Sequence, residues 1–238
     1  MQEKLAANID AVRKNIIAAA QRAGRHPDEI TLVAVSKTQP VELVKLAYTL
    51  GVTDFGENRV QEALPKIAEF HPQGIRWHMI GHLQSNKAGK VSGSFSCVHS
   101  VDSLRLAQTL NHHAAEHDLR LPILLQVNIA GEVSKEGMTA REAPELAHQI
   151  AALPHLEVQG LMTIAPLVDD PEEVRPVFRA LRILRDQLRT ELPAYTWQHL
   201  SMGMTDDYRV AIEEGATIVR VGLAIFGERV YFNPQIGL

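Results

Sequence analysis

The chain has 238 residues, of which 45% are hydrophobic and 22% charged, and its formal net charge is −4. Basic and acidic residues are interleaved, as they are between residues 172 and 189, so we expect no nucleic-acid-binding face. Cys97 is the only cysteine, which excludes an intrachain disulfide and a cysteine-based metal site and fits a reducing compartment. Residues 1–23 contain neither a signal-peptide core nor a membrane span, so we expect a cytoplasmic protein without a membrane partner.

An amphipathic helix is predicted first, over about residues 2–23, and short apolar runs then alternate with amphipathic segments along the chain. The spacing of Leu43, Leu46 and Leu50 is typical of a helix with one buried face. Eight runs are predicted as strands, at residues 30–35, 53–55, 75–79, 97–99, 123–127, 158–161, 199–201 and 218–221.

Eight strictly alternating units predict parallel strands joined by crossover helices. They favour an α/β fold, a single (β/α)8 TIM-type barrel with an extra N-terminal helix, which needs roughly 200 to 250 residues. No stretch has the composition of a linker, so residues 1–238 are expected to form one domain. An open doubly wound sheet is the alternative, because the run at 53–55 is short for a strand.

Polar residues and glycines follow almost every predicted strand. In a barrel the carboxyl ends of the strands meet at one rim, where functional groups gather. One ligand site is therefore expected there. The residues that follow the strands are Ser36-Lys37, Gly56-Glu57-Asn58, Ile80-Gly81-His82, Asn128, Met162-Thr163, Ser201-Met202-Gly203-Met204-Thr205 and, within and after the last strand, Arg220 and Gly222.

Lys37 stands at the inner end of a buried strand, which is an unusual place for a lysine. Desolvation there lowers the pKa of a lysine toward the neutral amine that attacks a carbonyl. The alternative is a side chain that extends out of the barrel mouth to water. Lys135 is a second lysine near the rim, in the loop after the fifth strand, and we expect it to be exposed.

Two glycine-containing segments near the rim predict a phosphate site. The turn at residues 201–205 opens a predicted helix, so its hydroxyls and N–H groups point along a helix N-terminus. Ordinary capping of that helix by Thr205 is the alternative. Gly222 and Leu223 supply further N–H groups after the eighth strand, where barrel phosphate sites usually form. Because a closed barrel puts the eighth strand beside the first, Lys37 lies near both segments, and a phosphorylated aldehyde fits.

Arg220 is either a structural ion-pair residue or the partner of a ring nitrogen. Guanidinium keeps its protons, so it would leave a pyridine nitrogen unprotonated and weaken the ring as an electron sink. Asn58 and Asn128 either bind a ring hydroxyl or cap their turns. His82 is a better rim candidate than His78.

A cluster of histidines at positions 112, 113 and 117 lies on one predicted helix with Glu116. No further ligand is in sight, so we expect a solvated helix face and no metal.

Together these segments closely resemble the pyridoxal phosphate homeostasis protein family. The resemblance implies a barrel like the N-terminal domain of alanine racemase, with pyridoxal 5′-phosphate (PLP) bound to Lys37 as a Schiff base. It also implies Ser201 and the Gly222 loop on the phosphate and Arg220 at the pyridine nitrogen. The runs that carry it are VAVSKT at 33–38, FGENR at 55–59, HMIGHLQSNK at 78–87, LSMGMTD at 200–206 and VRVGLAIFG at 219–227.

Two positions depart from the family's pattern. Leu223 stands where many members have serine or threonine, so it offers phosphate only its backbone N–H. Thr205 stands where serine is common. The predicted cofactor-binding set is Lys37, Asn58, His82, Ser201, Gly203, Met204, Thr205, Arg220, Gly222 and Leu223.

The resemblance implies a PLP carrier without strong catalytic activity, which holds the cofactor and passes it to recipients such as PLP-dependent apoenzymes. An amino-acid racemase is the first alternative, but racemisation needs a second proton-transfer group opposite Lys37. Resembling racemases take a tyrosine from a separate domain, for which we expect no room in the 16 residues after Gly222. Without that domain a monomer is expected, and a Schiff-base aldolase is the second alternative. The tyrosines to consider are Tyr48, Tyr195, Tyr208 and Tyr231.

Overall fold

The computed structural model describes residues 1–132 and 136–227. Lys135 and Tyr231, both considered above, lie outside the described residues. The first helix, α1 (Gln2–Arg22), buries Leu5, Ile9 and Ile16 along one stripe, as the spacing of these residues predicts. Within these two stretches of the chain, no helix combines the length and the apolarity needed to cross a membrane.

Among the described residues, seven further α-helices follow α1, and nine strands are interspersed among them. The helices are α2 (Val41–Thr49), α3 (Val60–Glu69), α4 (Leu104–Glu116), α5 (Ala143–Ala151), α6 (Arg175–Glu191), α7 (Tyr208–Glu213) and α8 (Leu223–Phe226). The strands are β1 (Thr31–Val35), β2 (Asp54–Glu57), β3 (Arg76–Met79), β4 (Cys97–Val101), β5 (Leu121–Asn128), β6 (Met138–Thr139), β7 (Leu156–Met162), β8 (His199–Ser201) and β9 (Ile218–Val221).

Eight of these strands close into a parallel barrel. β1 pairs with β2 on one side and with β9 on the other, while β4 pairs with β5 and so completes the ring. The two-residue strand β6, which the sequence did not predict, pairs only with the end of β5 among the described residues. The predicted TIM-type barrel with an N-terminal helix is confirmed, and the open sheet was wrong.

The strands separate two hydrophobic clusters, because successive side chains along a strand point to opposite faces. The larger cluster lies between the strands and the helices and includes Phe55, Trp77 and Leu125. A small cluster fills part of the barrel interior. Its members are Val33, Cys97, Leu124, Met162 and Ile218.

The interior also contains polar side chains that are at least nine-tenths buried. Each comes from a different strand and alternates in sequence with residues of the outer cluster. These polar residues are Asp54, His78, His99, Ser201 and Arg220. The barrel interior is therefore a packed core with a polar column through it, and the rim lies at the carboxyl ends of the strands.

Candidate functional site

Lys37 lies in a turn directly after β1 and is half-buried. Ser36, the residue before it, is held by hydrogen bonds on the outer face of the barrel. The Ser36 hydroxyl donates to Glu57 Oε1 at 2.6 Å, and Lys66 Nζ donates to the Ser36 carbonyl oxygen at 2.8 Å and to Glu57 Oε1 at 2.8 Å. Thr38, the next residue, has a φ of 62°, in the left-handed region that few non-glycine residues adopt, so the chain turns sharply directly after Lys37.

The loop after β9 approaches the end of β1 very closely. Ala34 pairs with Val221, so Gly222 comes next to Val35, the last residue of β1. A Cβ atom on Gly222 would lie 3.2 Å from Val35 Cβ and 3.3 Å from the Val35 carbonyl oxygen. Glycine permits this approach, and it brings the loop that opens α8 beside the turn that contains Lys37.

Arg220 is 4% exposed, and its guanidinium bonds to uncharged oxygens. Nη1 donates to Ser201 Oγ at 2.6 Å, and Nη2 donates to the Thr163 carbonyl oxygen at 2.9 Å. Burial lowers the pKa of Arg220 to about 10, an effect that the charge of Asp207 opposes. Among the described residues, Arg220 therefore has no directly contacting carboxylate of the kind that the ion-pair alternative requires.

Ser201 is fully buried, and its hydroxyl points into the barrel interior. Besides the bond from Arg220, Ser201 Oγ lies 2.9 Å from Nδ1 of His99. The family resemblance implied that this hydroxyl binds phosphate. In the structure its contacts are with two side chains of the barrel interior instead.

The turn after β8 depends on Gly203, which has φ 93°. A Cβ atom there would lie 2.6 Å from Ala211 Cβ, so the turn packs directly on α7. Thr205 does not cap that helix, because its N-cap is Asp207, whose Oδ1 accepts from the Met204 N–H at 2.6 Å. The capping alternative for Thr205 was therefore wrong.

Thr205 instead faces the loop after β9. Its Oγ1 accepts a long hydrogen bond of 3.5 Å from the N–H of Ala224, in the first turn of α8. The first N–H groups of a helix have no partner within the helix, so this turn presents donors beside a hydroxyl. Leu223 and Met204 are both exposed at the same place.

Asn58 and His82 lie together on another part of the rim. Both line a cleft of about 440 Å³ with Gln84 and Lys87. Gly81 packs against Asn58, since a Cβ on Gly81 would be 2.4 Å from the Asn58 carbonyl oxygen. The predicted site residues therefore lie on two parts of the rim. One part follows β8, β9 and β1, and the other follows β2 and β3.

His82 also connects its loop to the loops after β4 and β5. Its Nδ1 lies 3.5 Å from Asp102 Oδ2 and 3.1 Å from Glu136 Oε2. Both carboxylates come from segments that follow strands, so His82 holds three loops of the rim together. Its contacts are those of a residue that connects loops.

The polar column in the barrel interior was not predicted from the sequence. His78 Nδ1 lies 3.0 Å from His99 Nε2, and His78 Nε2 lies 2.9 Å from Asp54 Oδ1. Burial lowers the pKa of His99 well below its usual value, so its ring is neutral. The signal available in the sequence was the period of two along each strand, which puts His78 and His99 on the inward face.

Two histidine clusters have the composition of metal sites. His78, Cys97 and His99 are all buried and close together, but the ring nitrogens of both histidines are hydrogen-bonded. Burial raises the pKa of the Cys97 thiol above its usual range, which keeps it protonated and a poor ligand. On α4, His112 and Glu116 are exposed at the surface, and His113 Nδ1 lies 2.7 Å from Glu116 Oε2.

Three of the four tyrosines considered above are described. Tyr208 is buried against the turn at Gly203, with its Cα 2.8 Å from the position of a Cβ there. The Tyr48 hydroxyl donates to the Gln73 carbonyl oxygen at 2.8 Å, and Tyr195 packs against the outer core. Tyr208 is therefore the described tyrosine whose contacts place it beside the rim.

The sequence and the fold both resemble those of known proteins. Residues 7–230 match the family model described as the N-terminal domain of alanine racemase. The pyridoxal phosphate homeostasis protein of Aquifex aeolicus is 42% identical over 96% of this chain and 98% of its own length. The structure of PipY from Synechococcus elongatus with PLP bound is 35% identical, with a TM-score of 0.82 over 94% of this chain and 100% of PipY.

Alanine racemase itself is a more distant relative. The crystal structure of the Corynebacterium glutamicum enzyme is 19% identical, with a TM-score of 0.69, and the match covers 96% of this chain but 63% of the racemase. This likeness concerns the fold alone. The chain belongs to the family of the alanine racemase N-terminal domain and, within it, to the pyridoxal phosphate homeostasis proteins.

Proposed function

We propose that this chain binds PLP covalently through Lys37, as a single domain, and takes part in intracellular PLP homeostasis without strong catalytic activity. The observation that carries the proposal is the convergence at the junction of β8, β9 and β1. There a half-buried lysine, a buried arginine and two glycine turns come from neighbouring strands. PipY, a 35% identical relative with a PLP-bound structure, supports the same conclusion.

The residues at this junction fit the chemistry of the cofactor. PLP has an aldehyde for an amine, a phosphate for N–H and hydroxyl donors, and a ring nitrogen for a cation or donor. Lys37 supplies the amine, and Arg220 supplies the donor. A Cβ at position 203 would clash with Ala211 and one at position 222 would fit only tightly against Val35, so the backbone of both turns lies close to its neighbours.

The phosphate contacts differ in one respect from those that the resemblance implies. Because the Ser201 hydroxyl is engaged with Arg220 and His99, we assign its role to the arginine and give the phosphate to Thr205, Gly222 and Leu223. Thr205 Oγ1 already faces the first turn of α8. Gly203 and Met204 shape this side of the site, and we assign Asn58, which follows the neighbouring strand β2, to the opposite side.

His82 has a peripheral place in the proposal. It lies two strands away from Lys37 and is bound to Asp102 and Glu136. We assign it to the wall of the site, where it holds the loops after β3, β4 and β5 in position.

The test is the visible absorbance of the purified protein after addition of PLP. Wild type should gain a band that Lys37→Ala lacks, and borohydride reduction followed by peptide mapping should place the label on Lys37. Lys45→Ala is the matched control, because Lys45 pairs with Glu69 at the surface and should leave the band unchanged. A wild-type protein that remains colourless with PLP would refute the proposal.

Racemase activity is the second candidate, and Tyr208 is the described tyrosine that keeps it open. The discriminating measurement is exchange of the Cα proton of alanine with solvent deuterium by the PLP-loaded protein. We expect no exchange at enzymatic rates, and exchange that depends on Tyr208 would establish a racemase. Trapping of a sugar phosphate, but never of PLP, on Lys37 by borohydride would favour the aldolase alternative.

Transfer of PLP to apoenzymes in the cytoplasm completes the proposal. Exposed apolar side chains follow three adjacent strands: Ile164 and Leu167 after β7, Met204 after β8 and Leu223 after β9. A rim of this kind suits transient contact with a recipient protein. Loaded protein mixed with a PLP-dependent apoenzyme should restore its activity, and gel filtration should give the mass of a monomer.

A further inference from the structure

The polar column in the barrel interior is a continuous series of hydrogen bonds across five strands. It starts at Asp54, the first residue of β2, and passes through His78 on β3 and His99 on β4. It then crosses the interior to Ser201 on β8 and ends at Arg220 on β9. The four linking distances are 2.9, 3.0, 2.9 and 2.6 Å.

Only one direction of donation satisfies every member of this column. Arg220 can only donate, so the Ser201 oxygen accepts from it and the Ser201 hydroxyl donates to Nδ1 of His99. Neutral His99 then carries its hydrogen on Nε2 and donates to Nδ1 of His78. His78 likewise carries its hydrogen on Nε2 and donates to the Asp54 carboxylate.

The opposite direction fails at both ends. With neutral rings it would put the bare Nε2 of His78 against a carboxylate oxygen, which also only accepts. An imidazolium at His78 avoids this clash, but His99 would then donate to Ser201. The hydroxyl hydrogen of Ser201 would be left without an acceptor, because the structure gives it no third partner among the described residues.

The column has a cation at one end and an anion at the other. Arg76 donates to both Asp54 oxygens at 2.6 Å, and this contact and the bond from His78 hold the pKa of Asp54 well below its usual range despite burial. The Ser201 hydroxyl and the two histidine rings therefore all point their accepting atoms toward Arg220 and their hydrogens toward Asp54. Such aligned bonds polarise one another in a low dielectric, which stabilises a buried charge that has no carboxylate in contact.

We propose that Asp54, His78, His99 and Ser201 are positioning residues for Arg220, which they hold as an oriented cation beneath the ring nitrogen of the cofactor. This inference rests on the proposed function, because the ring nitrogen belongs to PLP. A carboxylate in direct contact would compete for the guanidinium N–H groups. The column instead turns the oxygen of Ser201 toward the guanidinium and uses one of the five N–H groups for that bond.

The first test needs no cofactor. Long-range proton–nitrogen correlation spectra of the unloaded protein report which ring nitrogen of each histidine carries hydrogen, and His78→Gln and His99→Gln variants assign the signals. Both rings should be neutral, with hydrogen on Nε2 and none on Nδ1. Hydrogen on Nδ1 of either ring at neutral pH would overturn the proposed direction.

The second test breaks the column beside the arginine. Ser201→Ala should weaken PLP binding about tenfold, the effect of one lost bond to a charged group. It should also shift the visible band of bound PLP. Ser100→Ala is the matched control, since Ser100 is a fully buried serine of β4 whose hydroxyl has no hydrogen-bond partner among the residues that the structure describes. It should leave both the affinity and the band unchanged.

Asp54→Asn gives an independent variant at the far end. Its amide oxygen still accepts from His78, so both tautomers should persist in the unloaded protein. The loss of charge should nevertheless shift the band in the same direction as Ser201→Ala does. Wild-type protein that binds PLP while both folded variants keep wild-type affinity and band would overturn the inference, whereas wild type that binds no PLP refutes the proposed function itself.

Discussion

Two arginine environments in this barrel differ in almost every respect. Arg220 is buried in the interior and bonds to a hydroxyl and a carbonyl oxygen. Arg175, outside the barrel at the start of α6, contacts the carboxylates of Glu172, Glu213 and Glu214 at 2.6, 2.7 and 3.3 Å. The hydrogen bonds that Arg175 donates to these carboxylates raise its pKa, while burial lowers the pKa of Arg220.

The difference separates an arginine that stabilises the fold from one that is kept for a ligand. A raised pKa means that folding favours the charged form of Arg175. A lowered pKa means that the charged form of Arg220 opposes folding at neutral pH. A group that costs stability and has no direct counterion among the described residues is typical of a binding site. Substitutions at Arg220 and Glu214 should separate the two roles.

The largest effect is expected for Arg220→Met. Methionine fills similar space without a charge, so the free energy of unfolding should stay the same or increase. PLP binding should weaken about 100-fold, because both the charge and the donor at the ring nitrogen are lost. Absorbance titration with PLP and urea denaturation measure the two quantities.

Arg220→Lys is the control for this prediction. It keeps a positive charge but loses the planar fork that contacts Ser201 and Thr163 together, so its PLP affinity should fall between wild type and Arg220→Met. A large loss of stability in Arg220→Met, with PLP affinity unchanged, would show that Arg220 is a structural residue like Arg175.

Glu214→Gln should have the opposite pattern. Glu214 is 5% exposed and accepts from Arg175, Arg179 and Arg182, so removal of its charge should lower the free energy of unfolding by about 1–2 kcal/mol. The estimate is modest because Arg179 and Arg182 are partly exposed and screened by solvent. PLP affinity should not change.

The matched control for Glu214→Gln is Glu173→Gln, which removes the same charge from an exposed position. Its unfolding curve should overlap with that of wild type. Equal losses of stability in the two variants would mean that net charge, and not the contacts of Glu214, accounts for the effect.

The contribution of Glu214 should also depend on pH. Hydrogen bonds from Arg179 and Arg175 lower the pKa of Glu214 in the folded protein, so its stabilisation is complete above the unfolded value of about 4.3. Stabilisation is then lost as the pH falls through the folded pKa. The difference in unfolding free energy between wild type and Glu214→Gln should be constant near neutral pH and shrink below about pH 4.

A difference that instead grows as the pH falls would contradict the assigned direction of the shift. These measurements use the unloaded protein, so they do not depend on PLP binding.

The sequence predicted the barrel and the junction of β8, β9 and β1 because both follow from strictly local rules. Alternating strand and helix patterns imply parallel neighbours, and closure brings Lys37 next to Gly222. Those rules do not predict where the Ser201 side chain points, because its direction depends on which face of a three-residue strand turns inward. The contact between His99 and Ser201 joins residues that are 102 positions apart across the barrel. No local pattern predicts such a pair.

The smallest effect is expected at the rim, where the Leu223 side chain offers no hydroxyl to a phosphate. Leu223→Ser adds a donor at the first residue of α8, beside Thr205, without touching Arg220 or its column. One added hydrogen bond to a phosphate should tighten PLP binding about fivefold. Leu223→Ala controls for the loss of apolar surface and should not tighten binding. If the serine and alanine variants bind PLP equally well, the phosphate does not lie at this loop, and Arg220 would have to orient a ligand held elsewhere on the rim.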